Sequence, residues 1–385
     1  MEIITRFFKT IPKSYFLFGP RGTGKSTLIK ELYPGAVTLD LLLPDVYREL
    51  SAFPERLGEI VKAYSPGQVF IIDEVQKAPG LLSVVHHLIE MKHEWQFILT
   101  GSSARKLKKE GVDLLGGRAQ LKHLHPFMAA EIKGYFNLEN NIKLGMLPLI
   151  LGSNDPAQDL KTYIALYMQQ EVQMEGIVRN IESFGRFLEA MSFSQASVIN
   201  CANIARDCYV SNKTVENYIQ ILEDLLLSFK IPIFTKRAKR TLTSHPKFYY
   251  FDVGVFQSLR PRGPLEDTAA INGLALETLV AQHLRAYLDY SSQKGNLYFW
   301  RTRTGVEVDF IIYGEIGFYA IEVKNSTLIK SQDLQGLQLF KQDYPECQCI
   351  FLSHASPRMK KADIMCLPIT EFLLSLIPGE ALCPN

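Results

Sequence analysis

The sequence has no apolar run long enough to cross a bilayer, and its first ten residues lack the apolar core of a signal peptide. None of its six cysteines forms a C-x-x-C pair, the spacing typical of metal and redox sites. An excess of one charge is also missing, because 42 basic side chains offset 40 acidic ones. These absences argue against a membrane-spanning or disulfide-rich protein and predict a cytoplasmic one with reduced thiols.

The composition that remains is globular. The 385 residues are 47% hydrophobic and 21% charged, without a low-complexity tract or an internal repeat. A chain of this length exceeds one ordinary hydrophobic core, so two or three domains are predicted. The net charge of +2 means that any surface able to bind a polyanion must be local.

One stretch carries the most specific signal: residues 19–27, GPRGTGKST, match G-x-x-x-x-G-K-[ST]. The apolar run 15–18 before it predicts a buried strand, and residues 27–33 predict the start of a helix. In that context the loop N–H groups point at an anion, and the helix N-terminus adds partial positive charge. Lys25 would reach the outer phosphates, and Ser26 would complete a Mg²⁺ shell. The predicted nucleotide-binding residues are Gly19, Gly22, Thr23, Gly24, Lys25, Ser26 and Thr27.

A second apolar run, residues 69–72, predicts a strand buried on both faces, and it ends in Asp73 and Glu74. In the same domain as a phosphate loop, Asp73 is positioned to hold Mg²⁺ through water. Glu74 beside it would polarise the attacking water as general base. ATP and Mg²⁺ are therefore the predicted cofactors.

Two further segments offer contacts to the γ-phosphate. If the predicted strand 97–100 lies between the first and third strands, Thr100 or Ser102 is the candidate sensor, although Ser103 as a helix cap is a competing explanation. Arg118 precedes a predicted last strand, residues 119–124. It would act on the γ-phosphate in its own chain or across the interface of a homo-oligomer, or else form a surface salt bridge.

The middle region predicts a helix-turn-helix. A short helix is expected over residues 198–207, and a second begins at residue 212 with Ser211 as its N-cap. Apolar residues recur on one face of the second helix, at Val215, Ile219, Leu222 and Leu226. The opposite face would present side chains able to reach base edges or phosphates: Lys213, Thr214, Asn217 and Gln220.

Residues 230–247 follow with six basic side chains and no acidic one: Lys230, Lys236, Arg237, Lys239, Arg240 and Lys247. Strand-like flanks make this segment a candidate basic wing that binds double-stranded DNA with a steep salt dependence. The candidate DNA contacts are Lys213, Asn217, Lys236, Arg237, Lys239 and Arg240. The alternative is a lid or protein-docking module, because Glu216, Glu223 and Asp224 dilute the positive field.

Two strand-like runs near the C-terminal end, residues 305–313 and 318–324, predict a hairpin. If the last residue of the first run pairs with the first residue of the second, Asp309 lies directly opposite Glu322. Facing carboxylates repel unless something offsets their charge. A divalent cation would do so, with Lys324 beside it to steady a developing negative charge. A metal-free ion cluster of Lys324 with both carboxylates is the alternative.

The motifs FGPRGTGKST, FIIDEVQKAP, FILTGSSARKL and LLGGRAQLKHLHPFMAAEI together resemble the AAA-type ATPases that carry a C-terminal DUF4143 domain. They cover most of residues 12–133, and the Asp-Glu-Val-Gln at 73–76 is the most distinctive of them. Met128 departs from the pattern, since a serine is expected there. The resemblance implies a P-loop ATPase related to signalling switches.

The DUF4143 region in turn resembles the PD-(D/E)XK nucleases, whose D…E-x-K arrangement matches Asp309, Glu322 and Lys324. In that family a helix glutamate joins the metal site, and Glu277 on the predicted helix 271–288 is its counterpart. The resemblance thus implies a metal site of Glu277, Asp309 and Glu322. A switch whose C-terminal domains bind partners and cut nothing is the competing hypothesis.

Together these inferences predict an α/β protein of three parts. Residues 1–135 would form a P-loop ATPase domain with a parallel sheet, and residues 136–255 a helical and winged-helix region. Residues 256–385 would form a smaller domain like the restriction endonucleases. The predicted activity is ATP hydrolysis, coupled to DNA binding or cleavage.

Overall fold

The computed structural model describes residues 4–103, 117–168, 181–236 and 245–382. The chain divides by its internal contacts into two compact units. The first unit contains residues 8–125 and 221–227, and the second contains residues 1–7, 126–220 and 228–385. Among the described residues, no helix is long and apolar enough to cross a membrane.

The first unit is built on a five-stranded sheet in which every paired strand is parallel. Its strands are β1 (Tyr15–Phe18), β2 (Val37–Asp40), β3 (Val69–Asp73), β4 (Gln96–Gly101) and β5 (Gln120–His123). Their order is β2-β3-β4-β1-β5, so the strand that ends in the candidate sensor does lie between the first and third. The helices of the first unit are Lys25–Leu32, Pro44–Ala52, Arg56–Lys62 and Leu81–Glu90, with a 3₁₀ turn at Val75–Lys77.

The apolar runs of the sequence form the central strands of this sheet. Both faces of the sheet are covered, so side chains on either side of these strands must be apolar. Phe16, Phe70 and Leu99 are completely buried in one hydrophobic cluster with the flanking helices, and Leu226 packs against the same cluster. The helix after the phosphate loop begins at Lys25, two residues earlier than predicted.

The second unit begins its β-structure with a three-stranded antiparallel sheet of β6 (Ser197–Val198), β7 (Ser228–Ile231) and β8 (Lys247–Tyr250), in the order β6-β8-β7. Along the chain, the helix Ile181–Ser192 precedes β6, and the helices Cys201–Cys208 and Asn212–Asp224 lie between β6 and β7. The predicted helix 198–207 therefore starts later than expected. The Asn200 side chain caps it by accepting the N–H of Asn203, which fixes its first turn.

A six-stranded mixed sheet forms the rest of the second unit. Its strands are β9 (Gly295–Arg301), β10 (Glu307–Gly314), β11 (Gly317–Val323), β12 (Gln348–Ser353), β13 (Met359–Lys361) and β14 (Ile364–Pro368), in the order β13-β14-β12-β11-β10-β9. The other helices described in the second unit are Leu138–Leu144, Pro148–Leu151, Pro156–Thr162, the π-helix Tyr163–Met168, Val253–Leu259, Thr268–Tyr290, Gln335–Asp343 and Ile369–Ser375, with a 3₁₀ turn at Ser331–Leu334. The mixed α/β class and the parallel N-terminal sheet are thus confirmed.

Two buried titratable groups have structural roles in the second unit. Asp252 caps the helix Val253–Leu259 and accepts the N–H of Met146 at 2.8 Å, and burial raises its pKa to about 6 despite these bonds. His283 accepts the N–H of Ala129 through Nε2 at 2.8 Å, while its Nδ1 lies 2.7 Å from the Leu279 carbonyl. Burial lowers the pKa of His283 to about 4, so the ring is neutral at pH 7.

Candidate functional site

The phosphate loop joins β1 to the helix Lys25–Leu32 in the conformation that its glycines permit. Gly22 and Gly24 have φ angles of 80° and 86°, a region that L side chains seldom adopt. Gly24 is the N-cap of the helix and has no side chain to bond the first-turn N–H groups. Those donors therefore remain suited to an anion.

Lys25 lies inside this loop rather than in solvent. Its ammonium donates to the carbonyl oxygens of Gly19 at 2.6 Å and Pro20 at 3.1 Å, and the side chain is almost fully buried. Thr23 also donates to the Pro20 carbonyl, at 2.8 Å. A Cβ on Gly19 would overlap the backbone oxygen of Leu124, so only glycine fits there. The loop is thus closely packed around the lysine.

The carboxyl ends of β1, β3 and β4 bring the candidate metal ligands together at one edge of the sheet. Ser26 donates its hydroxyl to Asp73 Oδ2 at 2.7 Å, and Thr100 donates to Asp73 Oδ1. Hydroxyl and carboxylate oxygens are the ligands that Mg²⁺ prefers, with water completing its octahedron. Ser26 and Asp73 therefore fit a bound Mg²⁺.

Glu74 follows Asp73 in a left-handed backbone conformation, with φ of 60°. Its N–H donates to Thr100 Oγ1 at 3.3 Å, and its carboxylate accepts a hydrogen bond from the Gln76 amide. The same amide donates to Ser102 Oγ at 3.1 Å. A polar network thus links the candidate base to both candidate sensors.

Gln76 was not among the predicted site residues, although it is the last residue of the distinctive Asp-Glu-Val-Gln. Its side chain approaches so closely that a Cβ on Gly101 would overlap Gln76 Oε1. Only the folded sheet shows this contact, because Gly101 belongs to a different strand. The proposed helix cap at Ser103 stays a prediction, since residues 104–116 lie outside the described part of the chain.

Arg118 lies at the opposite edge of the same sheet. Residue 120 pairs with Tyr15 at the start of β1, whereas the phosphate loop follows the end of β1. The two edges are about 13 Å apart along a four-residue strand. Arg118 forms a surface salt bridge with Glu90, which was the alternative to a role on the γ-phosphate. A role across a subunit interface stays a prediction.

The candidate DNA-binding helix is present as Asn212–Asp224. Ser211 accepts the N–H of Thr214 at 3.2 Å, which confirms the predicted cap. Lys213 and Asn217 are exposed, as the predicted polar face requires. Lys236 is exposed and its ammonium lies 4.4 Å from the centre of the Tyr313 ring. The other three predicted contacts lie outside the described residues: Arg237, Lys239 and Arg240.

Lys247 is the clearest correction to the predicted basic wing. It is the first residue of β8, and its side chain is only 2% exposed. A buried lysine requires paired acidic groups, and Lys247 has three. Its ammonium lies 3.0 Å from Glu277 Oε1, 3.6 Å from Asp309 Oδ1 and in close contact with Glu307. Lys247 therefore belongs to the predicted metal site and offers nothing to DNA.

The hairpin register is the predicted one, with Tyr313 opposite Phe318 and pairing continuous to Phe310 and Ile321. Asp309 and Glu322 are the next positions along the two strands. Lys324 does bond Glu322, with its ammonium 2.6 Å from Oε1.

The remaining bonds of this group come from the backbone, an aromatic hydroxyl and an arginine. The Val323 N–H donates to Asp309 Oδ2 at 2.9 Å, and the Tyr249 hydroxyl donates to Glu277 Oε1 at 2.6 Å. Arg301 lies 3.4 Å from Glu307 Oε2. We call the group of Glu277, Glu307, Asp309 and Glu322 the carboxylate cluster.

Burial and mutual repulsion both act on this carboxylate cluster. Burial, reinforced by the charge of Asp309, raises the pKa of Glu277 to about 7 and that of Glu322 well above its ordinary value. Burial alone would disfavour a charged lysine, but the surrounding negative charges outweigh it and raise the pKa of Lys247. The cluster thus stabilises a cation strongly.

The carboxylate cluster does not fit the predicted metal ion. Across the described ranges, no three acidic, histidine or cysteine side chains are arranged to hold a metal. Two members of the predicted set, Glu277 and Asp309, point their oxygens at the Lys247 ammonium instead. Lys247 is the residue that the sequence pattern missed. It directly precedes the apolar run 248–251, but that run does not show which acidic side chains the lysine meets.

Three family models match successive parts of the chain. Residues 12–133 match an AAA domain, residues 136–266 a domain of unknown function (DUF8612), and residues 272–372 the domain of unknown function DUF4143. The N-terminal part of the chain is therefore an AAA domain and the C-terminal part a DUF4143 domain, which confirms the resemblance seen in the motifs.

The related proteins found by sequence are uncharacterised, so they assign no activity to this chain. Uncharacterised proteins of Mycobacterium tuberculosis and Mycobacterium bovis are each 24% identical over 321 residues, or 81% of this chain and 70% of theirs. An uncharacterised Haemophilus influenzae protein is 21% identical over 226 residues, or 54% of this chain and 56% of its own.

Two solved structures show weak similarity. The replication initiator DnaA, bound to AMPPCP and single-stranded DNA, is 13% identical with a TM-score of 0.27, covering 56% of this chain and 83% of its own. A Vibrio cholerae protein is 12% identical with a TM-score of 0.23, covering 94% and 96%. Scores this low carry no argument about function.

Proposed function

We propose that the AAA domain binds ATP together with Mg²⁺ and hydrolyses the ATP. The observation that carries the proposal is the meeting of four side chains at one edge of the parallel sheet. Lys25 and Ser26 come from the loop and helix after β1, and Asp73 and Glu74 come from the end of β3. Three of the four are nearly inaccessible, so the groups are pre-positioned rather than solvated.

Each residue has a distinct task in this proposal. The first-turn N–H groups and the Lys25 ammonium hold the outer phosphates, while Ser26 and Asp73 hold Mg²⁺, which neutralises phosphate charge. Glu74 accepts a proton from water as the water oxygen attacks the γ-phosphorus. The bond to the bridging oxygen then breaks, and ADP and phosphate leave.

The test is phosphate release from ATP with Mg²⁺ and with a chelator, using Asp73→Asn beside the wild type. Asparagine has nearly the size of aspartate but lacks its charge, so the substitution weakens the Mg²⁺ site. We therefore expect the turnover of ATP to fall by roughly 10²-fold. Asp45→Asn is the matched control, because Asp45 is exposed and pairs with the exposed Arg48. Hydrolysis that is indifferent to the chelator and to Asp73→Asn would refute the proposal.

We further propose that the helix Asn212–Asp224 contacts double-stranded DNA and that the ATP state controls this contact. Lys213 and Asn217 support the first part, since both are exposed on the face opposite the buried Val215. Leu226, just beyond the helix, packs against the hydrophobic core of the AAA domain, which supports the second part.

Fluorescence polarisation of a labelled duplex at two salt concentrations tests DNA binding. We expect Lys213→Ala to weaken binding and to lower the salt slope by about one, as the loss of one phosphate contact requires. Lys62→Ala, which removes an exposed lysine from the first unit, serves as control. No binding at low salt, or equal losses in both variants, would favour a protein partner.

The second candidate function of the DUF4143 domain is that of a switch without nuclease activity. The Lys247 ammonium among Glu277, Glu307 and Asp309 favours the switch over the metal-dependent DNA cleavage that the sequence predicted. A plasmid assay with Mg²⁺ or Mn²⁺, with and without ATP, separates the two. Cleavage that Asp309→Asn abolishes would establish the nuclease, and no cleavage under any condition would favour the switch.

A further inference from the structure

Two elements bring acidic side chains of the carboxylate cluster to one buried lysine. Glu277 lies on the helix Thr268–Tyr290, Glu307 and Asp309 lie on β10, and the lysine, Lys247, begins β8. These elements are far apart in sequence, so the convergence is a product of the fold alone.

We propose that the Lys247 ammonium is a built-in cation that replaces a divalent metal ion in the carboxylate cluster. The DUF4143 domain then keeps the acidic framework of a metal site, but its counter-charge is covalently part of the chain. Removal of the ammonium should convert the cluster into a metal-binding site. This inference does not depend on ATP hydrolysis or on DNA binding.

The contacts around Lys247 have the number and length expected of an ammonium group, and they differ from those of a metal ion with its ligands. An ammonium has three N–H donors, and three carboxylates surround this one. The N–O distances of 3.0 Å to Glu277 and 3.6 Å to Asp309 contrast with the roughly 2.1 Å that Mg²⁺ demands of its ligands. A metal in contact with the same oxygens would have to displace the ammonium.

Displacement is opposed by the way Lys247 is held. Its backbone pairs with Val198 on one side and Ile231 on the other, so the residue is fixed in the centre of the three-stranded sheet. The side chain is 2% exposed, and its ammonium lies 5.5 Å from the centre of the Phe299 ring. Backbone pairing and burial together therefore hold the lysine within the cluster.

The charges around the cluster are close to balance without a metal. Four carboxylates are accompanied by three cations, because Lys324 bonds Glu322 and Arg301 approaches Glu307. One oxygen of the cluster is not satisfied: Glu322 Oε2 is buried and has no hydrogen-bond partner within the described structure. A metal that binds despite Lys247 would do so there, between Glu322 and Asp309, and the experiment must detect that outcome.

The experiment measures Mn²⁺ binding to nucleotide-free protein by electron paramagnetic resonance. All proteins carry Asp73→Asn, which weakens the separate metal site of the AAA domain. We expect no Mn²⁺ bound at the cluster when Lys247 is present. Lys247→Met, of similar length but neutral, should bind one Mn²⁺ per chain, and Asp309→Asn in addition should abolish that binding.

Thermal unfolding gives a second readout of the same change. Breaking a buried ion pair is costly, so Lys247→Met should lower the melting temperature by roughly 6–15 °C. Mn²⁺ at about 100 times its Kd should return about 5–10 °C of this loss, and should not affect the lysine-containing protein. Lys247→Arg, which retains a cation, should show no Mn²⁺ response.

The proposal remains testable even if Lys247→Met fails to fold. Mn²⁺ bound to the lysine-containing protein, and lost on Asp309→Asn, would overturn it directly. A folded Lys247→Met protein that binds no Mn²⁺ would overturn it as well. Absence of Mn²⁺ with lysine present and its appearance in the methionine variant would establish the built-in cation.

Discussion

Replacing Glu74 by glutamine should separate ATP binding from ATP hydrolysis. Glutamine has the size of glutamate, and its amide oxygen can still accept the hydrogen bond from Gln76. The bond to Thr100 comes from the backbone N–H of residue 74 and is unaffected. The strained φ of 60° also stays as it was, because the backbone is unchanged. What the variant lacks is a group that accepts a proton at neutral pH.

The size of the effect follows from that single loss. General bases contribute about 10²–10⁴ to rates, so the barrier should rise by roughly 3–5 kcal/mol while the fold and the nucleotide affinity stay close to wild type. Phosphate release at saturating ATP and Mg²⁺ measures turnover, and binding of a fluorescent ATP analogue measures affinity.

Glu59→Gln is the matched control for this variant, because Glu59 is an exposed glutamate on the helix Arg56–Lys62 of the same unit. It should leave turnover unchanged. If Glu74→Gln hydrolyses ATP within about twofold of wild type, Glu74 is not the base and the reasoning fails. If affinity falls together with turnover, the defect lies in the loop rather than in proton transfer.

Three further predictions concern other parts of the chain. Lys25→Ala should lower ATP turnover by at least roughly 10²-fold, and normal activity would contradict the phosphate-loop assignment. Gly101→Ala should push the Gln76 amide off the base and lower turnover by roughly tenfold, whereas Gly35→Ala, where a Cβ meets nothing, should not. His283 has a pKa of about 4 when folded and 6.5 as its ordinary value, so its stabilising contribution is complete above pH 6.5 and is lost as the pH falls towards 4. Relative to His283→Gln, wild type should therefore lose up to about 3 kcal/mol of unfolding free energy over this range, and parallel unfolding curves would contradict it.

The candidate nucleotide site could be predicted from the sequence because that site is made of local patterns. A glycine loop between a strand and a helix has few possible conformations. Parallel strands that are buried on both faces can be recognised in a sequence as apolar runs. Asp73 and Glu74 follow directly from the end of such a run. The hairpin register followed in the same way, since pairing of Tyr313 with Phe318 fixes every later pair along the two strands.

Roles that depend on contacts between distant segments could not be predicted before the fold was known. Arg118 looked suited to a phosphate, but the parallel pairing of β5 with β1 puts it at the far edge of the sheet. Lys247 looked like one more basic residue of a wing, yet its strand passes the carboxylate cluster and buries it there. A lysine's local sequence carries its charge but not its neighbours, and the neighbours decide whether it meets solvent, DNA or three carboxylates.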